Sequence, residues 1–122
     1  MFLATYPKKV VRGVMNIDYI ALFQSYLFTE KRLSKNSVSA YITDVKQLAV
    51  FLEKKFSGVI QTATGEQLKT YIRSLHTTKA QPRTIARKIS AFKVLYAFLA
   101  ERYAFANEAT VLVMPKIDKS LP

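Results

Sequence analysis

Residues 82–99 read Pro82-Arg83-Thr84-Ile85-Ala86-Arg87-Lys88-Ile89-Ser90-Ala91-Phe92-Lys93-Val94-Leu95-Tyr96-Ala97-Phe98-Leu99, and their spacing decides the fold. Ile85, Ile89, Phe92, Tyr96 and Leu99 recur at steps of three and four, the period of a helix with one buried side. Pro82 stands where a first helical residue tolerates a missing N–H, so the helix is expected from Pro82 to about Arg102. Roughly opposite the apolar stripe lie Arg83, Arg87, Ser90 and Val94, with Thr84 and Lys88 on one flank and Lys93 on the other. From Gln67 to Ala100 the chain carries Lys69, Arg73, Lys79, Arg83, Arg87, Lys88 and Lys93 without one Asp or Glu. Solvated helix faces usually alternate in sign, and like charges four residues apart repel. A one-signed field of this kind suits a polyanion. Nucleic acid, which releases counterions when its phosphates are neutralised, is the first partner expected.

Working upstream, Asn16 can cap a first helix from Ile17 to about Lys31, with Ile20, Phe23, Tyr26 and Leu27 at helical steps. Ser34 caps a second helix running to about Lys55, whose stripe Val38, Tyr41, Val45, Leu48 and Leu52 faces a core. Its opposite side carries Lys35, Asn36, Ser39, Thr43, Lys46 and Gln47, a short polar set able to lie against a groove. Gly58 ends that region. Thr64 with Gln67 three residues later reads as a capping box for a third helix from Gly65 to about Leu75, with Leu68, Tyr71, Ile72 and Leu75 inside. Downstream, Asn107 can cap a last short helix through about Val113.

Four main helices and a short C-terminal one make an all-α bundle. Three glycines and four prolines are too few for the tight turns of a sheet. Three stretches are expected: a mobile leader at 1–15, where Pro7 and Gly13 interrupt any period; a helical domain at 16–113; and a linker at 114–122, framed by Pro115 and Pro122, with further chain beyond it.

At 122 residues, half of them hydrophobic, one domain with a real core is expected. Nineteen Lys and Arg stand against eight Asp and Glu, and the formal charge of +11 exceeds what solubility requires. With no cysteine and a single His76, placed in a polar loop after the third helix, neither a disulfide nor a zinc cluster can be assembled. The expectation is an intracellular, cytoplasmic domain without metal or cofactor. No apolar run approaches the roughly 20 residues that span a bilayer, and Lys8, Lys9 and Arg12 follow rather than precede the first apolar residues, so neither anchor nor signal peptide is expected.

Three stretches resemble the N-terminal core-binding domain of tyrosine recombinases, the phage integrase and Xer family, whose fold is a small SAM-like helical bundle. Leu33-Ser34-Lys35-Asn36-Ser37, followed by Tyr41, Asp44-Val45 and Leu48, is similar to the turn entering that family's second helix. Thr84-Ile85-Ala86-Arg87-Lys88-Ile89-Ser90-Ala91-Phe92-Lys93, with Tyr96, Phe98 and Leu99, is similar to its fourth helix nearly residue for residue and is the specific motif. Asn107, then Pro115-Lys116 and Leu121-Pro122, resembles the segment leading to the catalytic domain. Departures are Glu108, where many relatives have proline, and the leader before Met15. The family's catalytic arginines, lysine, histidines and nucleophilic tyrosine belong to a domain outside this sequence, so the fragment is expected to hold no catalytic residue. Tyr26, Tyr41, Tyr71 and Tyr96 fall on apolar stripes and read as core.

The resemblance implies that the second and fourth helices lie across the major groove on one face of double-stranded DNA, while the catalytic domain grips the other. The residues expected to make contact are Lys35, Asn36, Ser39, Thr43, Lys46, Lys79, Arg83, Thr84, Arg87, Lys88 and Ser90. Arginine and lysine would hold the backbone, and Asn36, Ser39, Thr43, Arg87 or Ser90 would meet base edges or bridging waters. Asp44 is alternatively placed to pair with a basic side chain of the fourth helix. In the family, the first and last helices also meet neighbouring protomers in a synaptic tetramer, which Phe28 or Phe105 would serve if they are not buried in the core. The isolated fragment is expected to be monomeric and to bind weakly, since half a clamp forfeits the other half's contacts. The competing class is a SAM-like protein-interaction module using a helix end rather than the fourth helix. A helix-turn-helix repressor is disfavoured by the long second and fourth helices, and RNA ranks below duplex DNA because no aromatic platform interleaves the basic residues.

Overall fold

Three of the four helices begin where a side chain accepts from an otherwise orphaned first-turn donor, and the fourth where a proline removes one such donor. In the computed structural model, which describes residues 17–115, these starts define α1 (Tyr19–Thr29), α2 (Lys35–Phe56), α3 (Gly65–Thr77) and α4 (Pro82–Tyr103). Single 3-10 turns at Ile60–Thr62 and Glu108–Val111 complete an all-α architecture. Ser37 N–H donates to Ser34 Oγ at the head of α2 (3.2 Å). At α3 the capping box is reciprocal, Gln67 N–H to Thr64 Oγ1 and Thr64 N–H to Gln67 Oε1, both 3.1 Å. α4 opens on Pro82 with no side-chain cap.

α1 starts later than expected. Asp18 caps it by accepting from Ala21 N–H (3.0 Å), where a carboxylate also suits the positive helix end; Asn16, the expected cap, lies outside the described residues. The last helix is only a 3-10 turn, with Ala109 N–H donating to Asn107 Oδ1 (3.2 Å). The expected leader, and most of the expected linker, also lie outside the described residues.

α4 is the central element. Ile85, Ile89, Phe92, Tyr96 and Leu99 are all buried as its spacing requires, joined by Leu95 and Phe98. Phe23 and Leu27 of α1, Val38, Val45, Leu48 and Leu52 of α2, and Leu68 and Tyr71 of α3 close over them. On α2 the buried position expected for Tyr41 belongs instead to Ile42, because α1 packs along that flank and turns the stripe toward it; Tyr41 is half-buried at the edge. His76 sits exposed in the last turn of α3 rather than in a loop, because the helix runs two residues past its expected end at Leu75. No described helix is long and apolar enough to cross a membrane.

Candidate nucleic-acid interface

Two ties fix how α2 and α4 lie together. Asp44 of α2 meets Arg87 and Lys88 of α4, and further along both helices Tyr96 Oη donates to the Ile60 carbonyl just past α2 (2.6 Å). Neither helix has an acidic residue in its first turn. The positive end of each helix dipole is therefore left without an anionic side chain in its own first turn.

Lys35, Asn36, Ser39, Thr43 and Lys46 are all exposed on α2, and with Gln24 and Phe28 of α1 they line a shallow open groove. Lys79 is exposed in the turn before α4, held in a left-handed conformation (φ 60°), and Arg83 is exposed on the first turns of α4. Thr84 and Ser90 flank them, half-buried.

The seven cations of the one-signed run have different fates. Lys69 pairs with Glu66 (3.5 Å), and Arg73 donates to Thr70 Oγ1 within its own helix (3.2 Å). Lys93 reaches back to the Ala109 carbonyl (3.5 Å), tying α4 to the C-terminal turn. Lys88 departs furthest from expectation. Its side chain is only 6% exposed, and its ammonium donates to Asp44 Oδ1 (2.9 Å) and to Gln47 Oε1. It is placed as an interior counter-charge, with too little surface to meet a phosphate as the sequence led one to expect.

Arg87, the next residue in sequence, is arranged otherwise. Nε donates to Asp44 Oδ2 (2.9 Å) and Nη2 to Asp44 Oδ1 (2.8 Å), a two-pronged grip on the same carboxylate, yet 45% of the side chain is exposed. The hydrogen bond to Asp44 is the main reason the guanidinium is held even more firmly protonated than usual; burial opposes this and the Asp44 charge adds to it. Of five N–H donors two are used, which leaves three.

Asp44 itself is fully buried. Its position was signalled: it lies three residues after Tyr41 and four before Leu48, and Lys88 lies three after Ile85 and four before Phe92, so both charges sit inside the helical stripes. Among the described residues no three His, Asp or Glu side chains converge as a metal site. Of the residues expected to touch DNA, those left exposed are Lys35, Asn36, Ser39, Thr43 and Lys46 on α2 and Lys79, Arg83 and Arg87 at and beyond the head of α4.

The family model for the phage integrase N-terminal SAM-like domain matches residues 20–103, from the first turn of α1 to the end of α4. Among curated proteins the chain is similar to tyrosine recombinase XerC of Oceanobacillus iheyensis, 32% identical over 105 residues, which is 85% of this chain and 34% of the relative. It is 33% identical over 107 residues to tyrosine recombinase XerD of Rickettsia conorii, covering 87% of this chain and 35% of the relative. To XerC of Anoxybacillus flavithermus it is 28% identical over 109 residues, 88% of this chain and 36% of that protein. The chain thus spans about a third of the length of the curated relatives it matches. No solved structure matches significantly.

Proposed function

Because the chain belongs to the family of phage integrase N-terminal SAM-like domains, we propose that it lays the heads of α2 and α4 against duplex DNA and holds a tyrosine-type site-specific recombinase on its half-site during integration or recombination. The observation that carries this reading is the unpaired character of the exposed cations: among the described residues Lys35, Lys46, Lys79 and Arg83 have no acidic partner, while Asp44 between α2 and α4 is buried and held by two bases. Such a surface is stabilised by phosphates, whose neutralisation releases counterions whatever the base sequence. Asn36, Ser39 and Thr43, short and exposed along α2, are the side chains for base edges or bridging waters. The chain contributes position rather than chemistry, and its setting is the cytoplasm, where the DNA is. Exposed Phe28 on α1 is where we place contact with a second protomer; Phe105, half-buried edge-on to Tyr19 at 5.4 Å, belongs to the fold.

The test is binding of the 122-residue chain to a nonspecific labelled duplex, followed by fluorescence anisotropy across a salt series. Expected is a dissociation constant that weakens as salt rises, with Lys35→Glu and Arg83→Glu each weakening it further and lowering the salt slope by about 1 or more. A chain that ignores duplex at low salt, or charge reversals without effect, would leave the protein-interaction module in its place.

A further inference from the structure

We propose that Asp44 is a positioning residue for DNA binding: it holds Arg87 in a fixed pose with its outer edge turned to the backbone phosphates, while Lys88 neutralises it from the interior. This rests on the reading above, that the α2 and α4 face meets duplex. The geometry separates two jobs that adjacent residues of one type would not otherwise show. Lys88 and Asp44 are both buried, 2.9 Å apart, and cancel within the protein. Arg87 shares the same carboxylate at 2.8 and 2.9 Å, so the three groups together carry one surplus positive charge, and that charge resides on the one member open to solvent. An arginine held by two hydrogen bonds to a rigid acceptor has already lost its rotamer freedom. A phosphate arriving at the remaining N–H donors therefore meets a pre-ordered fork rather than a mobile side chain. Lysine at 87 would keep the charge and lose both the grip and the fork.

The test is a cycle of variants of the whole chain, read as affinity for a labelled duplex by anisotropy, with folding of each variant checked by circular dichroism. Asp44→Asn combined with Lys88→Met leaves the net charge unchanged and does not touch Arg87. Expected is a loss of about three- to ten-fold in affinity, the cost of ordering one long side chain on binding. Arg87→Gln should weaken wild type by at least as much and add little to the double variant. Wild-type affinity in the double variant, or full additivity with Arg87→Gln, overturns the proposal. Failure of the wild-type chain to bind duplex would instead sink the functional reading on which it rests. Should the double variant not fold, the wild type still decides: the Arg87 Nε–H resonance should be visible, slow to exchange, and retained in the DNA complex. Its loss on adding duplex would mean that Arg87 leaves Asp44 to bind, and the positioning role falls.

Discussion

Asp44 and Lys88 form a fully interior ion pair, 2.9 Å between Oδ1 and Nζ, in a domain whose surplus of positive charge would suggest that every lysine faces solvent. Arg87 closes the other side of the same carboxylate, so α2 and α4 are pinned by one acid and two bases rather than by apolar packing alone. The asymmetry of the arrangement matters. Each base depends on Asp44, whereas Asp44 has two bases.

Removing the acid should therefore hurt far more than removing the buried base. Asp44→Ala strands Lys88 as an uncompensated interior charge and is expected to cost about 3–5 kcal/mol. Lys88→Met leaves Asp44 gripped by Arg87 and replaces an ammonium with an apolar chain of similar length, so its loss should be clearly smaller. Urea melts followed by circular dichroism at 222 nm compare the two, and equal losses would show that the pair, not the acid, is the unit of stability.

The starts of α2, α3 and α4 are legible in the sequence because their causes are local, whereas the cap of α1 falls at Asp18, two residues past the expected Asn16. Ser34, Thr64 with Gln67, and Pro82 act within one turn of themselves, and the α4 stripe depends only on a repeat along one chain. The Asp44 cluster is legible in place but not in role. Its spacing puts Asp44 and Lys88 on buried faces, while residue type argues for the surface, and the conflict resolves only when a partner 44 residues away is brought within hydrogen-bonding reach. The same limit explains in part why a run of seven like charges overstates the contact surface: Lys88 and Lys93 engage distant partners that periodicity cannot see, whereas Lys69 pairs with Glu66, one helical step away and just outside the run. Ile42 in place of Tyr41 is a smaller case, set by α1 arriving on one flank of α2.

Glu108, the departure from the family pattern noted above, has a structural use here. Its Oε1 accepts from Gly65 N–H at 2.8 Å, satisfying an orphan donor at the head of α3 and placing negative charge on that helix's positive end. Glu108→Ala should destabilise the domain by about 0.5–2 kcal/mol, the range of a lost cap. Gly65→Ala tests the same joint from the other side, since a Cβ there would lie 3.1 Å from Val111 Cγ2 and 3.3 Å from Glu108 Oε1. Thermal melts should show both variants less stable than wild type. A neutral Glu108→Ala would mean that the C-terminal turn docks by apolar contact alone, through Ala109 and Leu112.

Alkaline pH should unfold the domain through its buried tyrosines. Burial, with the Asp44 charge adding to it, pushes the Tyr71 hydroxyl up to about 12, and burial raises Tyr96 as well, its hydroxyl donating to the Ile60 carbonyl. An unfolded chain releases tyrosine protons near pH 10. Between about 10 and 12 the unfolded state thus binds fewer protons than the folded one, and stability falls as pH rises across that window. Urea midpoints at stepped pH, with tyrosinate absorbance followed in parallel, should show the decline, and Tyr71→Phe should make it shallower. Identical slopes for the two proteins would mean that Tyr71 ionises without resistance in the folded state.

The last turn of α4 ends on a residue poorly matched to its conformation. Ala104 is left-handed at φ 62°, closing the helix with Ala104 N–H to the Ala100 carbonyl (3.1 Å) and Phe105 N–H to the Leu99 carbonyl (3.3 Å). That closure seats Phe105 against Tyr19 and so ties the end of α4 to the start of α1. Glycine reaches the left-handed region without the Cβ clash, which costs an L-residue about 1–2 kcal/mol, part of it returned as extra freedom in the unfolded chain. Ala104→Gly should therefore stabilise the domain by about 0.5–1 kcal/mol, raising the melting temperature by a few degrees. Because Ala104 lies at the opposite end of α4 from Arg83 and Arg87, duplex affinity should not change. A gain in stability accompanied by weaker DNA binding would show that the C-terminal end of α4 is coupled to the face that its N-terminal end presents.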